Sequence, residues 1–115
     1  MWAYDGRVPG PELRLKQGER LRVAVTNRLP EGTTVHWHGV RVPNAMDGVP
    51  HVTQAPIAAN GGTFVYEFEA KDAGTYWYHP HSRSYEQGRA ARRCACRPTR
   101  CRSPISPARC AIASR

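Results

Sequence analysis

The chain is expected to fold as an all-β Greek-key sandwich. Two runs alternate apolar and polar residues with the period of a strand, turn signals built from Gly, Asp, Asn and Pro punctuate them, and no window of useful length carries helical amphipathicity.

The elements follow in chain order. Val8-Pro9-Gly10-Pro11 reads as a turn ahead of the first clear strand, in which Leu21, Val23 and Val25 alternate with Arg20, Arg22, Ala24 and Thr26. Successive strand side chains point to opposite faces, so this run buries one face and leaves the other in water. Glu31-Gly32 breaks it, and the run TVHWHG follows, with His36 and His38 on one face and Trp37 on the other. Asp47-Gly48 and Asn60-Gly61-Gly62 mark further turns. Phe64, Tyr66 and Phe68 then alternate with Thr63, Val65 and Glu67, and Asp72-Ala73-Gly74 turns the chain into TYWYHPHS. In that last run Tyr76 and Tyr78 oppose Trp77, His79 and His81, while Pro80 fixes φ between the two histidines. The tyrosines and Trp37 read as core or interface packing.

The two His-x-His pairs carry the chemistry. A strand presents residues i and i+2 on one face, so two such strands side by side would converge four imidazoles. Neutral imidazole binds Cu, Zn, Fe or Ni, with Cu(II) the tightest of the divalent series and zinc the generic competitor. One pair alone is weak evidence, since most strand histidines bind nothing; two pairs in 115 residues make a metal site the better reading.

The runs WAYDGRVPGPELRLKQGERLRVAVTNRLPEGTTVHWHG, VPNAMDGVP and DAGTYWYHPHS, spread over about Trp2 to Gln87, closely resemble the first cupredoxin domain of the multicopper oxidases, the family of laccases, ascorbate oxidases and bacterial copper oxidases. The resemblance implies a cupredoxin-type sandwich and copper as cofactor. It implies that His36 serves a type 2 copper and that His38, His79 and His81 serve a type 3 pair, half of the ligands of a trinuclear cluster. There dioxygen is reduced to water with electrons from a reducing substrate. Asp47 matches the position of an acidic residue that passes protons in several bacterial members, which makes it the candidate catalytic residue; Asp-Gly is equally a turn signal in its own right. His51, in a Pro-flanked loop, matches nothing and reads as a solvated loop residue.

The family's His-x-x-His-x-His and His-Cys-His runs do not occur here, and the four cysteines, Cys94, Cys96, Cys101 and Cys110, all follow the last histidine. A type 1 copper needs a thiolate with two imidazoles. The resemblance therefore implies a partner, a C-terminal cupredoxin domain, that supplies the remaining ligands.

Composition divides the chain at residue 87. Residues 1–87 hold nine Lys plus Arg and nine Asp plus Glu, whereas 88–115 hold eight Arg and no acid, so the net charge of +8 lies in the tail. The tail has no aromatic residue and no evident strand or helix period, and it reads as disordered, with the Arg, Ala, Pro and Cys mixture of a frameshifted GC-rich gene. The expected domains are thus a cupredoxin-like body, 1–87, missing a terminal strand, and an Arg/Cys/Pro-rich tail, 88–115. The cysteine spacing fits no common zinc pattern. Without interleaved aromatics the arginines imply only non-specific adhesion to nucleic acid, not a specific partner.

No run is long and apolar enough for a membrane span, and the chain as written is expected to carry no signal peptide, its first residues already falling inside the matched run. The family resemblance places such proteins in the periplasm or outside the cell. Two functions remain: the N-terminal part of an oxidase that couples one-electron substrate oxidation to dioxygen reduction, or a non-catalytic copper-sequestering or copper-tolerance module.

Overall fold

A computed structural model of the chain describes residues 2–81, 92–97 and 108–114. Eight strands form two four-stranded sheets: β1 (Trp2–Tyr4), β2 (Leu13–Lys16), β3 (Arg20–Arg28), β4 (Val35–His38), β5 (Gly62–Glu69), β6 (Gly74–Pro80), β7 (Arg92–Arg97) and β8 (Ala108–Ser114). One sheet runs β1-β8-β3-β5 and the other β2-β7-β6-β4. Apart from the strands, a single turn of 3-10 helix, Asn44–Met46, is the one helical element among the described residues. No described helix is long and apolar enough to cross a membrane.

The expected alternations are those observed. In β3, Leu21, Val23 and Val25 are buried while Arg20 and Arg22 are exposed, and in β5 Tyr66 and Phe68 face inward opposite them, with Val23 paired to Tyr66 and Leu21 to Phe68. The second sheet contributes Leu15, Val35, Trp37 and Tyr78. Trp37 bridges the two layers, its ring centroid 5.1 Å from that of Phe68 and 5.5 Å from that of Tyr66, both edge to face. Such aromatic pairs add about 0.5–1.5 kcal/mol each beyond their buried area. The turn signals at Glu31-Gly32, Asp47-Gly48, Asn60-Gly61 and Asp72-Ala73 all fall between strands.

Asn27 is the polar exception in the core. Its side-chain amide donates to the carbonyls of Glu31, Ile57 and Ala58, and its oxygen accepts the Leu29 N–H, so one fully buried side chain ties the exit of β3 to the loop ahead of β5. Buried amides are tolerated when they are satisfied in this way.

Two strands are also described within the stretch expected to be an irregular tail. Residues 92–97 form β7 between β2 and β6, and residues 108–114 form β8 between β1 and β3. Ladder pairing is a backbone property, and short runs such as Cys94-Ala95-Cys96 and Ala111-Ile112-Ala113 are small enough to enter a sheet without the strong apolar alternation that marks β3 and β5. The expected boundary at residue 87 lies outside the described residues, as does Cys101, one of the four tail cysteines weighed as metal ligands.

Candidate metal centre

β4 and β6 build the site. They pair antiparallel with Val35 opposite Pro80, His36 opposite His79, Trp37 opposite Tyr78 and His38 opposite Trp77. The pleat sends Val35, Trp37, Tyr78 and Pro80 into the core and His36, His38, Trp77 and His79 to the outer face. His81 lies one step beyond β6, its N–H donating to the Thr34 carbonyl at 3.2 Å. All four histidines therefore share one face.

The rings are close. The centroid of His36 lies 5.7 Å from that of His38, 5.3 Å from His79 and 5.5 Å from His81. One nitrogen each of His36, His38 and His79 can be chosen so that all three lie within 4.8 Å of one another. His81 stacks beside His79 at 6.1 Å.

Hydrogen bonds determine which nitrogens remain free. His36 Nδ1 sits 2.7 Å from the Asp47 carbonyl oxygen. A carbonyl only accepts, so Nδ1 carries the proton and donates it, leaving Nε2 with a lone pair. His79 Nδ1 donates to the Pro80 carbonyl at 2.9 Å, and its Nε2 is buried with no hydrogen-bond partner. An orphaned buried nitrogen in a ring of imidazoles is the arrangement a metal ion would complete. Burial pushes the His79 pKa down, against the Pro80 carbonyl, which raises it; His36, His38 and His81 lower it further through mutual repulsion of positive charge. The shift favours the neutral ring, the form that ligates.

The loop carrying Asp47 packs along β4, the edge strand of its sheet. Gly48 has φ +77°, and a Cβ there would overlap the Val35 carbonyl, so only glycine lets the backbone approach this closely. Its carbonyl accepts the Thr34 hydroxyl, while the Tyr66 hydroxyl accepts the Val35 N–H at 2.9 Å. Burial pushes the Tyr66 pKa up to about 12. Asp47 also places a carboxylate oxygen 3.5 Å from His36 Nδ1, so the turn residue and the acidic neighbour of the site are one and the same. His51 is exposed in its loop, as expected.

Trp77 is the residue to which the sequence reading gave no role. Its ring lies 4.3 Å from that of His79, interplanar angle 28°, and 4.7 Å from that of His38, at 33°. The available signal was its i, i+2 spacing from His79, which puts both on one strand face.

The multicopper oxidase family matches residues 1–93. Copper resistance protein A of Pseudomonas syringae pv. tomato is 48% identical over 85 residues, which are 74% of this chain and 14% of that protein. Multicopper oxidase MCE of Talaromyces pinophilus is 49% identical over 82 residues, 70% of this chain and 13% of that protein. Among solved structures, a multi-copper oxidase from Pseudomonas thermotolerans superposes with a TM-score of 0.80 at 48% identity, covering 84% of this chain and 24% of the other. The blue copper oxidase from Nitrosomonas europaea does so with a TM-score of 0.78 at 37% identity, covering 87% of this chain and 33% of the other. The chain thus spans about a seventh of the length of the curated relatives it matches, as the shares of 14% and 13% state. It carries a cupredoxin sandwich with four of its five histidines on one face, and it belongs to the multicopper oxidase family.

Proposed function

We propose that this chain provides the N-terminal, four-histidine share of a multicopper oxidase copper site. In this reading His36 serves the type 2 copper and His38, His79 and His81 serve the type 3 pair, and a C-terminal cupredoxin domain furnishes the remaining ligands. The observation that carries it is the convergence of His36, His38 and His79 on one sheet face, with the His79 Nε2 left without a protein partner.

Copper, when bound, supplies the one-electron chemistry that couples oxidation of a reducing substrate to reduction of dioxygen to water. The chain's own residues do the positioning. The Asp47 carbonyl and the Pro80 carbonyl fix the tautomers of His36 and His79, so that each presents Nε2. The Asp47 carboxylate lies 3.5 Å from His36 Nδ1, and in this reading it is the acidic residue that passes protons toward the site. Trp37 and Tyr78 fill the core side of β4 and β6, so among the described residues the histidine cluster opens toward the outer face. Action in the periplasm or outside the cell follows from the same family reading.

A second reading is a copper-sequestering module, favoured by relatives whose names are copper resistance protein A. Titration of the full chain with Cu(II), followed by calorimetry and electron paramagnetic resonance with His36→Ala and His79→Ala as controls, tests the metal site. Tight binding lost in both variants is expected, and binding indifferent to both would refute it. Adding a chain that bears the His-Cys-His run then separates the two readings. Dioxygen consumption with a reductant marks the oxidase half, and its absence despite tight copper binding marks sequestration.

A further inference from the structure

We propose that Trp77 is a positioning residue for the histidine cluster, its indole holding the His38 and His79 rings in the orientation in which their free nitrogens converge. The proposal rests on the copper reading above and deepens it.

Three observations carry the argument. First, the indole contacts both rings, at 4.3 Å and 28° for His79 and 4.7 Å and 33° for His38. The contact is built by the fold: Trp77 is two residues before His79 on β6 and directly opposite His38 on β4. Second, Trp77 is 39% exposed, in contrast to Trp37 at 1%, so core packing does not account for a ring of this size on the outer face. Third, His36 and His79 are each oriented by a carbonyl, whereas among the described residues neither ring nitrogen of His38 has a hydrogen-bond partner. Ring contacts are what His38 has in place of the usual hydrogen-bonded support of a ligand.

The physical effect is preorganisation. A solvent-exposed imidazole samples several rotamers and must give up that freedom when it binds a metal together with its neighbours. A ring already laid against an indole loses less, and the difference appears as affinity. The stack also strengthens when it is needed: coordination draws electron density out of the imidazole, and a ring with positive character is attracted to the negative face of an indole.

The test uses the full chain and the variants Trp77→Phe, which keeps a stacking ring, and Trp77→Leu, which keeps apolar bulk alone. Cu(II) affinity is read by calorimetry, and the nitrogen hyperfine pattern by electron paramagnetic resonance. The ring-current shifts of the His38 and His79 ring protons are read by NMR on the metal-free chain. Affinity about tenfold weaker in Trp77→Leu, the scale of loss seen when a ligand's support is removed, with an altered hyperfine pattern and near-parental behaviour in Trp77→Phe, is the expected result. Parental affinity and an unchanged pattern in Trp77→Leu would overturn the proposal.

If the parent chain binds no copper through its histidines, the copper reading itself fails. The NMR arm then decides the role of Trp77 by itself, as it also does should Trp77→Leu not fold. Upfield-shifted ring protons of both histidines in the parent chain, retained in Trp77→Phe, support the stack, and unshifted protons refute it.

Discussion

The two faces of the β4/β6 pair are made by alternate residues of the same strands and do opposite work. The inner face, Val35, Trp37, Tyr78 and Pro80, is buried and joins the sheets; the outer face, His36, His38, Trp77 and His79, is half-buried or exposed and contributes no core. Adjacent positions therefore differ in what limits them. An inner residue is limited by packing density, where each lost methylene is felt. An outer residue is limited by direction, where a ring must point its free nitrogen at a shared place. Stability and chemistry are separated by the pleat rather than by distance.

That separation is open to attack from either side. The largest effect should come from Trp37→Ala, which empties the contact between the sheets and is expected to destabilise the fold by about 3–5 kcal/mol in urea titration. Copper binding should be lost with it, because the outer face rides on the same two strands that the inner face holds in place. If the variant kept both its midpoint and its copper affinity, the inner face would not be the foundation of the outer one.

Tyr66 sharpens the comparison through pH. Its folded pKa of about 12 exceeds the roughly 10 of an unfolded phenol, so above pH 10 the unfolded chain ionises first. Stability is fully present below about pH 10 and is lost as pH rises through about 12, by at most roughly 2–3 kcal/mol. Urea midpoints across this range, with tyrosinate absorbance, should show the loss in the parent chain and a flatter profile in Tyr66→Phe.

Gly48→Ala should act on both faces at once, since the added Cβ would push the loop off the Val35 carbonyl and move Asp47 from His36. A loss of about 1–3 kcal/mol is expected, together with weaker copper binding. Retention of parental copper affinity would show that the Asp47 contact does not orient His36.

The smallest effect on stability belongs to His38→Gln. His38 is exposed, so the unfolding free energy from urea titration should change by no more than about 0.5 kcal/mol while copper affinity falls. A large loss of stability with no change in affinity would invert the assignment of the two faces.

Much of this was legible in the residues. The alternation of Leu21, Val23 and Val25 and of Phe64, Tyr66 and Phe68 identifies β3 and β5, because one-sided burial writes a period of two directly into the chain. HWHG and YHPHS identify the face of the site for the same reason. What was not legible depends on contacts between distant segments. β7 and β8 enter the sheets by backbone pairing, which leaves a weak mark on side-chain pattern. Asp47-Gly48 announced a turn, but its passage along the edge of β4, where Gly48 abuts Val35, is a tertiary fact. Trp77 against His38 is a cross-strand neighbour and becomes visible only once the register of β4 and β6 is known.

Asn27 has a consequence for how this sandwich tolerates change. Its amide turns two hydrogens toward three carbonyl oxygens, and its oxygen toward a single N–H. Aspartate has the same outline and the reverse polarity on that side, so the position distinguishes two residues by electrical sign where the surrounding core distinguishes them by volume. An Asn27→Asp chain should recover stability as pH falls and the acid takes up a proton, the opposite of the usual acid unfolding of a protein. A position that accepts the outline of aspartate would then reject its charge.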